Sequence, residues 1–281
     1  MAGAISLSQR DIDVLGKIRD PESNPASAAR LDVSLPKDPH VTDPAEYDRL
    51  SQKERELILV MQQAEMELAG RTPASLADPL AAYRNCVADL NVLITEHPQY
   101  ASARNNRAQA LRRLYGDDML LRRDTPQGAT KNSSVQDDAG ALLTGAHAAT
   151  DAERAGAAVV TLSDLDRAIS LLLPVNPFLP VLSPTAAKTL SLAYTQRAAV
   201  YYATAKHMEP GSGLGLDTSV DRPEAQWTRL DFEEAASRDF AMGGHFGNEI
   251  ARGLAVGTNP TAKLCGKMVQ QMMKSEYGPL S

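Results

Sequence analysis

Apolar residues recur at three- and four-residue steps through most of the chain, the period of helices packed on one side. Over 45–70 the stripe is Leu57, Val60, Met61, Ala64 and Leu68, with Gly70 placed to end the helix. From Pro79 to His97 it is Tyr83, Cys86, Val87, Leu90, Leu93 and Ile94; Asp78 is a cap, Pro79 fits the first turn and Pro98 blocks continuation. A third helix is predicted over 101–114, a fourth over 162–173, a fifth over 184–207 and a sixth over 224–242, stopped by Gly243-Gly244. Two more follow over 246–256 and 260–275. Near the start, Ser8 caps a short amphipathic stretch with Ile12, Val14, Leu15 and Ile18. No segment alternates with period two, and Val175–Leu182 holds too much proline for a central strand.

The gaps between these stripes set the domain plan. Residues 1–45 form a short helix and an extended segment, in which Pro21, Pro25, Pro36, Pro39 and Pro44 disfavour regular structure. The acidic, proline-spaced segment 20–48 is placed to fold back over the binding groove of the main domain and block it. Residues 46–258 form the main domain, interrupted by surface insertions near 117–160, with one weak helix at 136–148, and near 206–223. Residues 259–281 are a capping helix.

Composition narrows the class. Of 281 residues 43% are hydrophobic but only 5% aromatic, which suits close helix packing better than a β-sandwich. The net charge of −6 argues against nucleic-acid binding. Cys86 and Cys265 read as buried, reduced thiols. No signal peptide or membrane span is apparent, so a cytoplasmic protein without membrane contact is expected. His40, His97, His147, His207 and His245 lie near helix ends or in loops without metal-ligand spacing. Gly211-Ser212-Gly213-Leu214-Gly215 lacks the strand and the Gly-Lys-Ser/Thr of a phosphate loop. No catalytic residue, metal site or cofactor is therefore expected, and the chain reads as a non-enzyme.

Two helices share a pattern. Arg104, Arg107-Ala108 and Leu111 align with Tyr194, Arg197-Ala198 and Tyr201, the alanine marking a close helix approach. Leu165 and Ala168, then Ala236, Phe240 and Gly243, supply a matching face on the helices that follow. Val14 to Glu22 with its Asp20-Pro21-Glu22 turn, Asn105 to Ala110, Asn259 to Cys265, and Met268, Met272 and Met273 occur in the order seen in the tetratricopeptide repeat protein 36 family. On these residues the chain resembles that family, lengthened by its two insertions. The resemblance implies an all-α, right-handed tetratricopeptide-repeat solenoid of about three helix pairs with C-terminal caps. It also implies a co-chaperone-like scaffold holding a protein or peptide in its concave groove, with an association to Hsp70-type chaperones.

The first helix of each pair lines such a groove. The candidate ligand-binding residues are Asn105, Asn106, Gln109, Arg113 and Gln196. Asn106 matches the asparagine of a carboxylate clamp, but Leu192 and Gln196 stand where its cations belong, removing its charge-assisted bonds. Tyr194, Tyr201 and Tyr202 are expected in the core with wet hydroxyls. The three tail methionines are expected to cap the last hydrophobic face. The rival readings are a self-associating structural subunit and a non-catalytic subunit of an enzyme complex.

Overall fold

A computed structural model describes residues 29–123, 141–142, 149–174, 181–208 and 214–277. Among these residues the protein is all-helical apart from two short strand pairs. The Ser8 stretch, most of 136–148 and the first three residues of the Gly211–Gly215 run lie outside them.

Helix starts follow local chemistry. α1 (Pro44–Leu68), α2 (Pro79–Glu96) and α5 (Pro184–His207) each begin with proline behind a capping side chain, Asp43, Asp78 and Ser183. α4 (Asp151–Leu172) and α6 (Arg229–His245) open with reciprocal capping boxes, Thr150 with Glu153 and Thr228 with Asp231. Asn248 caps α7 (Glu249–Thr258). α3 (Ala101–Tyr115) has no side-chain cap, and α8 (Pro260–Tyr277) completes the chain of helices.

Each helix from α1 to α7 packs mainly on its sequence neighbours, and α3 also touches α5. Three apolar clusters result. One joins α1, α2 and α3 around Leu50, Tyr83, Leu90 and Leu93. A second joins α3, α4 and α5 through Ala108, Leu165, Leu190 and Tyr194. The third joins α4 to α7 around Leu162, Tyr201, Phe232 and Phe240.

The expected insertions are more structured than their composition suggests. The last ten residues of 117–160 are the first turns of α4, and Met119, Leu120 and Leu121 are buried. Strand β2 (Leu121–Arg123) pairs antiparallel with β4 (Leu214–Leu216), tying the two insertions together. Short runs of apolar residues among polar ones carry too little periodicity to reveal such a pair. At the other end β1 (Arg30–Leu31) runs parallel to β3 (Val181–Leu182). Residues 29–43 therefore lie against the end of α4 and the start of α5, where His40 Nε2 is 3.0 Å from the Leu171 carbonyl and Ser183 Oγ donates to the Lys37 carbonyl at 3.1 Å.

Three further expectations are corrected. Gly243-Gly244 does not end α6, which continues to His245; both glycines are buried where other helices come close. Cys265 is exposed while Cys86 is buried. The tail methionines are not buried against the body as a cap would be: Met268, Met272 and Met273 are each more than half exposed. Tyr194 and Tyr201 are buried as expected, whereas Tyr202 is partly exposed.

Candidate functional site

α3 lies between α1 and α5, and its polar residues divide between the two. Asn105 is buried; its side-chain oxygen accepts from Gln196 Nε2 at 2.8 Å. Gln196 in turn accepts from Arg112 at 3.2 Å, and Arg112 clasps Asp117 through two bonds of 2.7 and 2.9 Å. On the α1 side Asn106 donates to Glu54 at 2.6 Å. Tyr100 and Ser102 hydroxyls donate to the other Glu54 oxygen, each at 2.9 Å. Burial pushes the Glu54 carboxyl above the usual carboxylate range, because its three donors from Ser102, Tyr100 and Asn106 are all neutral.

Of the five sequence candidates, Asn105 and Gln196 are therefore bonded to each other inside the protein, and Asn106 is bonded to an interior carboxylate. Gln109 and Arg113 are exposed along the same helix. Arg113 lies 3.9 Å from Glu65, a loose pairing with half of the guanidinium side chain exposed. The outer strip of α3 thus offers an amide and a guanidinium to solvent, a combination suited to backbone carbonyls or a carboxylate.

A second interior system repeats along the chain. Arg107 grips Asp164 of α4 with bonds of 2.6 and 2.8 Å, and Arg104 adds a third at 3.1 Å. One step on, Arg197 grips Asp239 of α6 with bonds of 2.6 and 2.9 Å and reaches Asp166 at 2.7 Å. Burial opposes charge on Arg197, but its bonds to Asp239 outweigh that and hold it firmly protonated. Arg222 joins Asp166 and Glu224, and Glu224 also accepts from Tyr201 at 2.9 Å. The Arg-Ala repeat was visible in the sequence. The aspartate preceding Leu165 and Phe240 was its unread partner, and Glu54 was signalled only by an acid standing in the stripe Tyr47, Leu50, Met61.

The acids and bases of this second system are neutralised by one another, whereas Glu54 is held by neutral donors alone. Among the described residues no cluster of three His, Cys, Asp or Glu side chains is placed to hold a metal ion. No helix among them is long and apolar enough to cross a membrane.

Comparison with known proteins changes the family reading. No family model matches the chain, and no solved structure matches it. The chain is 33% identical over 271 residues, 96% of its length and 93% of the relative's, to the L-tyrosine degradation gene cluster protein hmgX of Aspergillus fumigatus. This overturns the resemblance to the tetratricopeptide repeat protein 36 family and the chaperone-scaffold description drawn from it. That resemblance stood on four short motifs, whereas the similarity to the Aspergillus protein runs through nearly the whole chain.

Proposed function

The chain belongs to the hmgX family, and from that kinship we propose that it is a non-catalytic binding scaffold serving L-tyrosine degradation, its partner a protein of that route. In this reading the helices form a solenoid of three pairs, α1–α2, α3–α4 and α5–α6, with α7 closing the last hydrophobic face. A stack of this kind fixes the backbone through its interior and leaves recognition to a few exposed side chains.

The observation that carries the proposal is the division of polar groups on α3. Asn105, Asn106 and Gln196 are committed to internal bonds, while Gln109 and Arg113 face outward beside them. The internal bonds hold α1, α3 and α5 in register, and the exposed pair supplies donors to a partner segment laid across them. The buried arginines and the acids they grip are consumed by mutual pairing, and Glu54 is closed in by three donors of the protein itself, which favours binding over proton-transfer chemistry.

The test is co-purification with the enzymes of L-tyrosine degradation, comparing the natural chain with a Gln109→Ala, Arg113→Ala double variant. Capture should fall at least several-fold while helicity by circular dichroism stays unchanged. Equal capture by both proteins removes α3 as the site. Turnover of tyrosine or of its breakdown products by the purified chain alone removes the non-catalytic reading.

A further inference from the structure

α8 is the one long helix among the described residues from which no buried side chain is recorded. It meets the body near its first turns, where Lys263 approaches Glu233 at 3.5 Å. Leu264, Met268, Val269, Met272 and Met273 are 54–60% exposed, and Cys265 lies among them. At helical spacing these six side chains cover about half of the circumference. Lys263, Lys267 and Lys274 fall on the opposite half. An isolated helix of 18 residues is marginal in water, so an amphipathic helix of this length implies a surface that covers it.

We infer that this face of α8 pairs with the α8 of a second copy of the chain, in an antiparallel two-helix seam. Three features favour a second copy. From Leu264 to Met273 the arc carries no charge, and its borders are Ala262 and Gly266 on one side and Gln271 on the other; Glu276 falls on the arc beyond Met273, where an antiparallel register sets it opposite Thr261 of the second copy and not opposite itself. The lysines point away from the seam in both copies, so self-pairing brings no like charges together. The area fits as well. The five large apolar side chains of the arc, each more than half exposed, supply a large part of the roughly 800 Å² that one partner gives to a stable interface. The antiparallel sense follows from connectivity. Both bodies join α8 at its N-terminus, and only this sense puts them at opposite ends of a seam about 27 Å long. Met268 and Val269 then sit beside the two-fold axis, and the two Cys265 thiols stand about 10 Å apart along the seam.

The full-length chain should sediment as a dimer in the micromolar range. Because Cys86 is buried, a bis-maleimide of about 10 Å reach should cross-link copies through Cys265. Met268→Glu buries two carboxylates at the axis and should weaken dimerisation on the order of a hundredfold, abolishing the cross-link. Removal of residues 260–281 should give a folded monomer, which guards against a variant that merely unfolds. A chain that stays monomeric to high micromolar concentration overturns the inference. So does a dimer indifferent to both changes. A monomer whose melting temperature falls with Met268→Glu also overturns it, since the face would then be covered by the chain's own residues.

Discussion

Asp164 receives two guanidinium groups at the α3–α4 contact and is almost wholly buried, with Arg104 and Arg107 mostly buried beside it. Removing the carboxylate charge leaves two cations without their counter-ion. Asp164→Asn should therefore cost roughly 3–5 kcal/mol in urea unfolding. Asp239→Asn breaks the equivalent clasp on Arg197 and should cost a similar amount, which tests whether the two sites are copies of one device. Glu54 is the opposite case, a buried carboxylate with no cation among its donors. Its folded pKa lies above its unfolded value, so the folded state holds the proton more tightly. Stability from this group is greatest below the unfolded pKa of about 4.3 and is lost as pH rises through the folded pKa. Glu54→Gln removes that dependence. At pH 7 it should match or exceed the natural chain in melting temperature, and it should lose that standing in acid. Glu54→Ala strands the Tyr100, Ser102 and Asn106 donors and should be destabilising at either pH by about 1–3 kcal/mol.

At the scale of elements, the α5–α6–α7 contact depends on the absence of a side chain. A Cβ on Gly243 would stand 2.6 Å from Thr195 Oγ1, 3.2 Å from the Ala251 Cβ and 3.3 Å from the Ser191 carbonyl oxygen. The Ser191 hydroxyl already donates to the Gly243 carbonyl at 2.6 Å, so the helices have no slack there. Gly243→Ala should lower stability by about 1–3 kcal/mol through overpacking. Gly253, on the exposed side of α7, has nothing within 4 Å of an added Cβ. Gly253→Ala should raise stability by about 0.5–1 kcal/mol through helix propensity alone, and thermal melts of the two variants separate the effects. The sequence made the helix boundaries legible wherever a cap and a proline coincide, as at Asp78-Pro79 and Ser183-Pro184. It misled at Gly243-Gly244, because a glycine pair reads alike as a stop and as a close approach. Thr150 and Glu153, the capping box of α4, lay inside a stretch whose alanine and glycine content suggested a loop. The candidate residues on α3 were legible as a polar row. Their division between interior and surface depends on Glu54 and Gln196, which are 52 and 91 positions away from their α3 partners and carry no local signal.

For the whole molecule, an element at the end of the row of helices can be removed at the cost of its own interfaces. Among the described residues α8 joins the body through the Lys263–Glu233 ion pair and the contacts of its first turns, and that pair is 39% and 12% exposed. Deleting 260–281 should thus leave the melting temperature of dilute protein within about 2 °C of the full chain, since surface changes of this kind stay within about 0.5 kcal/mol. Concentration should then separate the two proteins. If α8 joins two copies, association stabilises only the folded state, and the full chain should melt at higher temperature as it is concentrated. The truncated chain has no such seam and should show a melting temperature independent of concentration. A hundredfold increase in concentration gives a clear reading, because mass action over that range amounts to about 2.7 kcal/mol for a fully coupled equilibrium. A full chain whose melting point stays fixed over that range has no dimer to lose, whereas a shift present in both proteins places the contact on the body and away from α8.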